Sequence, residues 1–340
     1  MRKKIITRRR IITLGIVVAL VLAAIGVAAV GNEYRFTQTA VQIPLPQGHL
    51  DGVLTLPRDA PARGLVVMVH GDGAVDATQE GLYSPWFEGA ADAGFATLSW
   101  SKPGVGGSTG NWLDQSMQDR AAEVNAAIDW ARAQSDIPAD RIVLWGASQA
   151  GWVIPAVVAS RDDIDGMAMV GTAINWLSQG RFNLMAELDH AGATEAEREL
   201  AIAESDAVRG LLAEDTGFDQ YLATTTDDPP MTADRWAFVA RNMDADATAD
   251  LHRASTRGIP VLLLAGTHDR NVDMAETEQV YRDIFGDALS VQHIDSVHSM
   301  ARPIVDDNAA VGILVGTFWP RALLAPGVID RYTGFLDGIQ

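Results

Sequence analysis

The chain predicts a doubly wound, mostly parallel α/β sheet with a helical cap insertion and an N-terminal transmembrane helix. Three observations carry this. Short apolar runs alternate with amphipathic stretches at helical spacing, the rhythm of strand–helix–strand units. One stretch of 85 residues, about 172–256, contains no strand-like run and is rich in Ala, Glu, Asp, Leu and Met, too long for a simple connection. Residues 11–30 form an uncharged run, IITLGIVVALVLAAIGVAAV, as long as a bilayer's hydrocarbon core requires of a helix.

Taken in order, residues 1–10 are a basic flank with Arg2, Lys3, Lys4, Arg8, Arg9 and Arg10. Positive charge before an apolar run stays on the cytoplasmic side. The expected placement is therefore a single-pass signal anchor in the cell membrane, N-terminus cytoplasmic and body extracytoplasmic. The alternative is a signal peptide cleaved after the small residues Val27-Ala28-Ala29, leaving a secreted protein. Residues 38–340 form the main domain. Thr39 to Leu45 and Leu50 to Leu56 flank the turn Pro46-Gln47-Gly48-His49 and read as paired strands. Gly64 to His70 is a continuous apolar run, the mark of a strand buried on both faces. A helix is expected over 80–93 and a strand from Phe95 to Trp100. Met117, Ala121, Val124, Ile128 and Ala131 recur at helical spacing within 114–134. Arg141 to Trp145 is a strand and 149–160 a helix. Ile164 to Val170, Ile259 to Ala265 and Leu289 to Ile294 are further strands, and 327–338 a closing helix. Residues 308–325 are unusually apolar for a late loop and suit packing on the cap or a membrane.

Composition excludes several functions. Cysteine is absent from the 340 residues, which removes disulfide scaffolds, cysteine nucleophiles and cysteine-ligated metals. Six of the 26 basic residues and none of the 44 acids stand in the first 30 positions, so the remainder carries a net charge of −24. A body this acidic repels phosphate backbones, and no nucleic-acid partner is expected. No cluster with metal-ligand spacing occurs. The glycine-rich segment Lys102 to Gly110 lacks the Lys-Ser/Thr ending of a phosphate loop and the spacing of a dinucleotide fingerprint. It reads as backbone passing close to a site's mouth.

The most informative segment is Arg141 to Gly151, in which a buried strand runs into Gly146-x-Ser148-x-Ala150-Gly151 and a helix follows. Such a strand–turn–helix elbow places a serine on a tight turn, with small residues on either side to avoid clashes. Ser148 is the candidate nucleophile. The strand 64–70 ends in His70-Gly71-Asp72-Gly73, where main-chain N–H groups can face a developing oxyanion. The expected donors are the N–H groups of Asp72 and Gln149, with Gly73 the substitute for the first. Two later loops leave strand ends: Gly266 to Asp273 and Ser296 to Ser299. They supply His298 as general base and Asp269 as its orienting acid. His268 and His293 are the rival bases and Asp273 the rival acid.

The segments VVMVHGDG, SWSKPGVGGSTG, RIVLWGASQAG, LLLAGTHDRNVD and SVHSM, in this order, resemble the α/β-hydrolase superfamily over about 38–171 and 258–340. They look most like bacterial serine esterases and peptidase-like hydrolases with a cap after the sixth strand. Ser101 stands where that group often has Asp, Ala150 replaces the elbow's last Gly, and Val297 replaces the Gly before the catalytic His. The resemblance implies a Ser-His-Asp acyl-enzyme mechanism without cofactor. The expected activity is hydrolysis of carboxylic esters, with a small-molecule acyl substrate and membrane association through residues 11–30. Two alternatives stand beside it: an aminopeptidase-like serine peptidase on short peptides, using Glu187 or Asp189 to hold the substrate amine, and an acyltransferase or non-catalytic binding protein. Trp176, Phe182, Leu184, Met185, Leu188, Trp236 and Phe238 of the cap either line an apolar acyl pocket or simply pack on the core.

Overall fold

The computed structural model describes residues 2–226 and 228–340, the side chains of 2–12 and 15 excepted. Eight strands form one sheet: β1 (Phe36–Leu45), β2 (Gly48–Pro57), β3 (Gly64–Val69), β4 (Phe95–Trp100), β5 (Ile142–Ala147), β6 (Gly166–Val170), β7 (Val261–Gly266) and β8 (Leu289–Ile294). Their order is β1-β2-β4-β3-β5-β6-β7-β8. The hairpin β1–β2 and the β2–β4 pair are antiparallel, and every later pair is parallel.

The central strands are buried on both faces, which is why they read as unbroken apolar runs. Alternate residues feed two layers. Leu65, Val67, Ile142, Leu144 and Leu263 join one core with helices α3 (Met117–Arg132), α4 (Ile154–Ser160), α9 (Thr248–Ser255) and α10 (Met274–Phe285). Val66, Met68, Val143, Trp145 and Leu262 join the other, with α2 (Ser84–Asp92) and α13 (Val328–Asp337). Helix caps sit where the chain has short polar residues. Ser116 and Asp119 form a capping box on α3, and Asp273 accepts from Ala275 and Glu276 at the start of α10.

Residues 172–256 hold α5 (Trp176–His190), α6 (Glu195–Ala213), α7 (Phe218–Thr224), α8 (Ala233–Asn242) and α9, and no strand is found there among the described residues. Two expectations change in detail. The helix expected over 149–160 is a short 3₁₀ turn, Ser148–Trp152, followed by α4. Pro155 has no N–H to donate backwards, so the α-helix begins beside it. Residues 308–325 are not a loop: Asn308 caps α12 (Ala309–Phe318), which follows the short α11 (Pro303–Asp307).

The N-terminal run belongs to one continuous helix, α1 (Arg2–Gly31). Among the described residues no helix is long and apolar enough to cross a membrane, and the transmembrane expectation draws no support from the structure. That segment begins on Ile11 and Ile12, whose side chains lie outside the described residues, as do those of the basic flank.

Candidate active site

Parallel strands deliver their following loops to one edge of the sheet. The register sets Val69 opposite Gly146, Ala147 opposite Val170 and Gly266 opposite Ile294. The loops beginning at His70, Ser148, Gly171, Thr267 and Asp295 therefore emerge together.

Ser148 has φ +52°, in the left-handed region that non-glycine residues rarely occupy. The turn is built around missing side chains. A Cβ on Gly146 would lie 2.6 Å from the Cβ of Ala150 and 2.4 Å from Ile154 Cδ1. Glycine at 146 thus makes room for alanine at 150, which accounts for the departure at the elbow's last position. A Cβ on Gly151 would lie 2.7 Å from the Ala173 carbonyl oxygen, so that glycine is needed where the turn meets the loop after β6. Gly71 comes so near that a Cβ there would be 3.2 Å from Ser148 Cβ.

His298 Nδ1 is hydrogen-bonded to Asp269 Oδ2 at 2.8 Å. The Asp269 side chain is 1% exposed, and its other oxygen accepts the N–H groups of Asn271 (2.8 Å) and Val272 (2.9 Å). The carboxylate is thereby held with one oxygen committed to the imidazole. Gly171, at φ +55°, passes close to the ring: a Cβ there would be 3.2 Å from His298 Nδ1. The rival groups are engaged elsewhere. His268 Nε2 bonds Asp295 at 2.8 Å, His293 Nε2 bonds Glu278 at 2.6 Å, and Asp273 is a helix cap.

A cavity of about 570 Å³ joins Gly71, Asp72, Ser148 and His298. The rest of its wall is mostly apolar. Val75, Leu82, Tyr83, Trp86 and Trp145 come from one side, and Val305, Gly312, Gly316, Leu323 and Leu324 from the other. Among its described residues the cap does not line it, so of the two readings of its side chains the structure favours packing over an acyl pocket. Trp236 stacks on Tyr221 with centroids 4.6 Å apart, Phe238 meets Trp112 at 5.3 Å, and Trp176 meets Trp152 at 5.0 Å. Trp176 and Leu184 also border a separate hollow of about 440 Å³ within the cap. Of Phe182, Met185 and Leu188, none reaches the cavity at Ser148. Aromatic area is better buried ring on ring than left facing a site.

Behind the Asp72 loop stands a polar cluster that residue patterns did not reveal. Lys102, 1% exposed, donates from Nζ to the Gly71 carbonyl at 2.5 Å, with its ammonium 4.9 Å from the Trp112 ring centre. Arg120 Nη2 donates to the His70 carbonyl at 2.7 Å, and Nη1 to Gln149 Oε1 at 2.5 Å. In a trans peptide the C=O and the following N–H point in opposite directions. Fixing the Gly71 oxygen toward Lys102 therefore turns the Asp72 N–H the other way. Neither the Asp72 nor the Gln149 N–H has a turn or loop acceptor among the described residues.

The Asp72 carboxylate receives both arms of Arg235 from α8, at 3.0 and 2.7 Å, and Gln149 Nε2 at 3.0 Å. Burial works to raise this carboxyl, but the Arg235 hydrogen bonds and charge outweigh it and hold it below its usual range. Burial lowers the Lys102 ammonium well below its ordinary value, with the Arg120 charge adding to the effect. The one signal for this cluster was compositional: Lys102 is the only lysine after residue 10. Its burial needed the fold.

Comparison with known proteins agrees with this architecture. Residues 60–298 match the family model described as serine aminopeptidase, S33. An esterase from Pyrococcus furiosus superposes with a TM-score of 0.52 at 15% identity, over 84% of this chain and 92% of that one. A Butyrivibrio proteoclasticus esterase with ferulic acid bound gives 0.53 at 16%, over 88% and 96%. A Rhizomucor miehei esterase gives 0.55 at 14%, over 90% and 84%. No curated protein matches the chain in sequence. The sheet order and the match over residues 60–298 place the chain in the serine aminopeptidase (S33) family of α/β hydrolases.

Proposed function

We propose that the protein is a serine hydrolase that cleaves carboxylic esters through an acyl-enzyme. The observation carrying this is one cavity walled by Ser148, held at a strained left-handed turn, and by His298, itself bonded to Asp269. A neutral hydroxyl is a weak nucleophile at pH 7. His298 Nε2 takes the Ser148 proton as Oγ forms a bond to the acyl carbon. Asp269, accepting from Nδ1–H, fixes the tautomer and stabilises the imidazolium. The carbonyl oxygen becomes an oxyanion received by the N–H groups of Asp72 and Gln149. When the C–O bond to the alcohol breaks, His298 returns the proton to that oxygen. Water, deprotonated by the same imidazole, then releases the acid and frees Ser148.

The ester reading is favoured over the peptidase one by the cavity's charge. Asp72 is its one carboxylate among the described residues, and Arg235 occupies both of its oxygens. The two acids considered for binding a substrate amine are paired: Glu187 with Arg270 at 3.0 Å, Asp189 with Arg198 at 2.6 Å. A fluorophosphonate probe tests nucleophilic catalysis. Wild type is labelled and Ser148→Ala is not; equal labelling of both removes the assignment. p-Nitrophenyl esters are turned over in preference to aminoacyl nitroanilides, and the reverse ranking favours the peptidase.

Attachment to the membrane through residues 11–30, with the catalytic domain extracytoplasmic, is the placement we propose. Its support is the 20-residue uncharged run behind six basic residues. The full-length chain then sediments with membranes; a shortened, soluble product means signal-peptide cleavage instead.

A further inference from the structure

Residues 302–323 leave the sheet edge after β8 and return before α13 through a narrow neck. Ala301 and Leu324 form an isolated antiparallel bridge, and Arg302 N donates to the Leu323 carbonyl at 2.9 Å. The inner side of this excursion helps wall the cavity at Ser148, through Val305, Gly312 and Gly316. Its outer side is bare: Ile304 is 59%, Ile313 70% and Leu314 58% exposed. Adjacent solvent-facing apolar side chains of this size mark an interaction surface.

The excursion is also fastened to the end of α1. Arg321 Nη1 donates to the Gly31 carbonyl at 2.7 Å, Asn32 Nδ2 to the Thr317 carbonyl at 3.1 Å, and the Arg321 guanidinium lies 4.1 Å from the Tyr34 ring centre. Contact is close enough that a Cβ on Gly31 would be 1.9 Å from the Phe318 carbonyl oxygen. Only residues 32–35 separate α1 from β1, a tether of roughly 14 Å at full stretch. A bilayer holding α1 therefore has the bare face of α12 within reach.

We propose that the 302–323 excursion beds in the bilayer interface and passes a long-chain, amphiphilic carboxylic ester from the lipid to Ser148. This rests on the ester-hydrolase and membrane-attachment readings above. The acyl chain travels along apolar side chains from lipid to cavity without crossing water, and a bilayer covers both the face of α12 and the neighbouring end of α1.

The test uses the full chain reconstituted in phosphatidylcholine–phosphatidylglycerol vesicles. Two esters are compared, p-nitrophenyl acetate in the water phase and p-nitrophenyl palmitate carried in the same vesicles. The double substitution Ile313→Asp and Leu314→Asp, and separately Ile304→Asp, should cut the palmitate rate at least tenfold and leave the acetate rate within about twofold. Acetate turnover doubles as the check on folding. Equal change on both esters, or an unchanged palmitate rate, overturns the proposal. So does disulfide cross-linking of the Ile313→Cys variant into a dimer, which assigns the face to a second copy. Failure of the underlying readings looks different. A wild type that turns over neither ester fails as an ester hydrolase, and one that hydrolyses acetate but does not float with the vesicles fails as a membrane protein; either removes this proposal as well.

Discussion

At Ser148 the backbone carries the work that the side chain needs: the turn is held at φ +52° because Gly146, Ala150 and Gly151 leave it room. The same logic reaches the proposed oxyanion donors one shell further out. Lys102 does not line the cavity, yet its bond to the Gly71 carbonyl fixes the plane that carries the Asp72 N–H. Lys102→Met keeps the length and burial of the stem but removes the donor. It should lower kcat roughly ten- to hundredfold, a fraction of what loss of a whole oxyanion donor costs, with KM changed less than about threefold. Steady-state kinetics on a short ester checks this; a rise in KM with kcat unchanged would make Lys102 a packing residue. Sequence spacing singled out Ser148, Asp269 and His298 as candidates, because each follows a strand end, and the structure sets Ser148 and His298 on one cavity with His298 bonded to Asp269. It could not bring out Lys102, Arg120 or Arg235, whose partners are a carbonyl, an amide and a carboxylate far away in the chain.

Among the elements, the central strands β3 and β5 were legible because burial on both faces leaves no polar side chain in them. The cap's helices were legible as helices, but the direction of their aromatic faces was not. Trp236 and Phe238, two positions apart on α8, read the same in sequence whether they face a ligand or another ring, and here they face Tyr221 and Trp112. Between elements, Glu88 is the tie that sequence gave no sign of. It sits on α2, accepts from Arg321 Nε at 2.6 Å and from the Arg35 N–H at 3.0 Å, and so joins α2 to the excursion and to the start of β1. Burial pushes its carboxyl up, while Arg321 and Arg35 pull it down further, for a net lowering from 4.5. A carboxyl lowered on folding stabilises fully above its unfolded value and loses that contribution as pH falls through the folded one. Glu88→Gln should therefore cost about 1.5–3 kcal/mol at pH 7, and the gap from wild type should narrow as pH falls below 4.5. Urea unfolding of both proteins at pH 7 and pH 3.5 measures it; a gap that persists at the lower pH means the loss is steric.

At the scale of the whole molecule, one buried imidazole shapes the response to acid. His70 donates from Nε2 to the Trp100 carbonyl at 2.7 Å and stacks on Tyr83 at 5.3 Å. Burial, with help from the Lys102 charge, lowers it from 6.5 to about 3. The unfolded chain takes up a proton from pH 6.5 downward that the folded protein refuses, so stability present above 6.5 drains away as pH falls toward 3. Each pH unit in that window removes up to about 1.4 kcal/mol. His70→Gln, which retains a donor for the Trp100 carbonyl, should show a flatter loss between pH 6.5 and 5, where carboxyl groups contribute little. Equal slopes for the two proteins would refute the assignment.

The neck at Ala301 and Leu324 has an evolutionary corollary. Because the two ends of the excursion are joined by the Ala301–Leu324 bridge and the bond from the Arg302 N–H to the Leu323 carbonyl, its length and composition can change while its ends stay beside β8 and α13. The family match itself stops at residue 298, four positions before the excursion starts. On the lipid route proposed above, a relative that takes freely diffusing esters needs no such greasy excursion and can join β8 to α13 by a shorter connection.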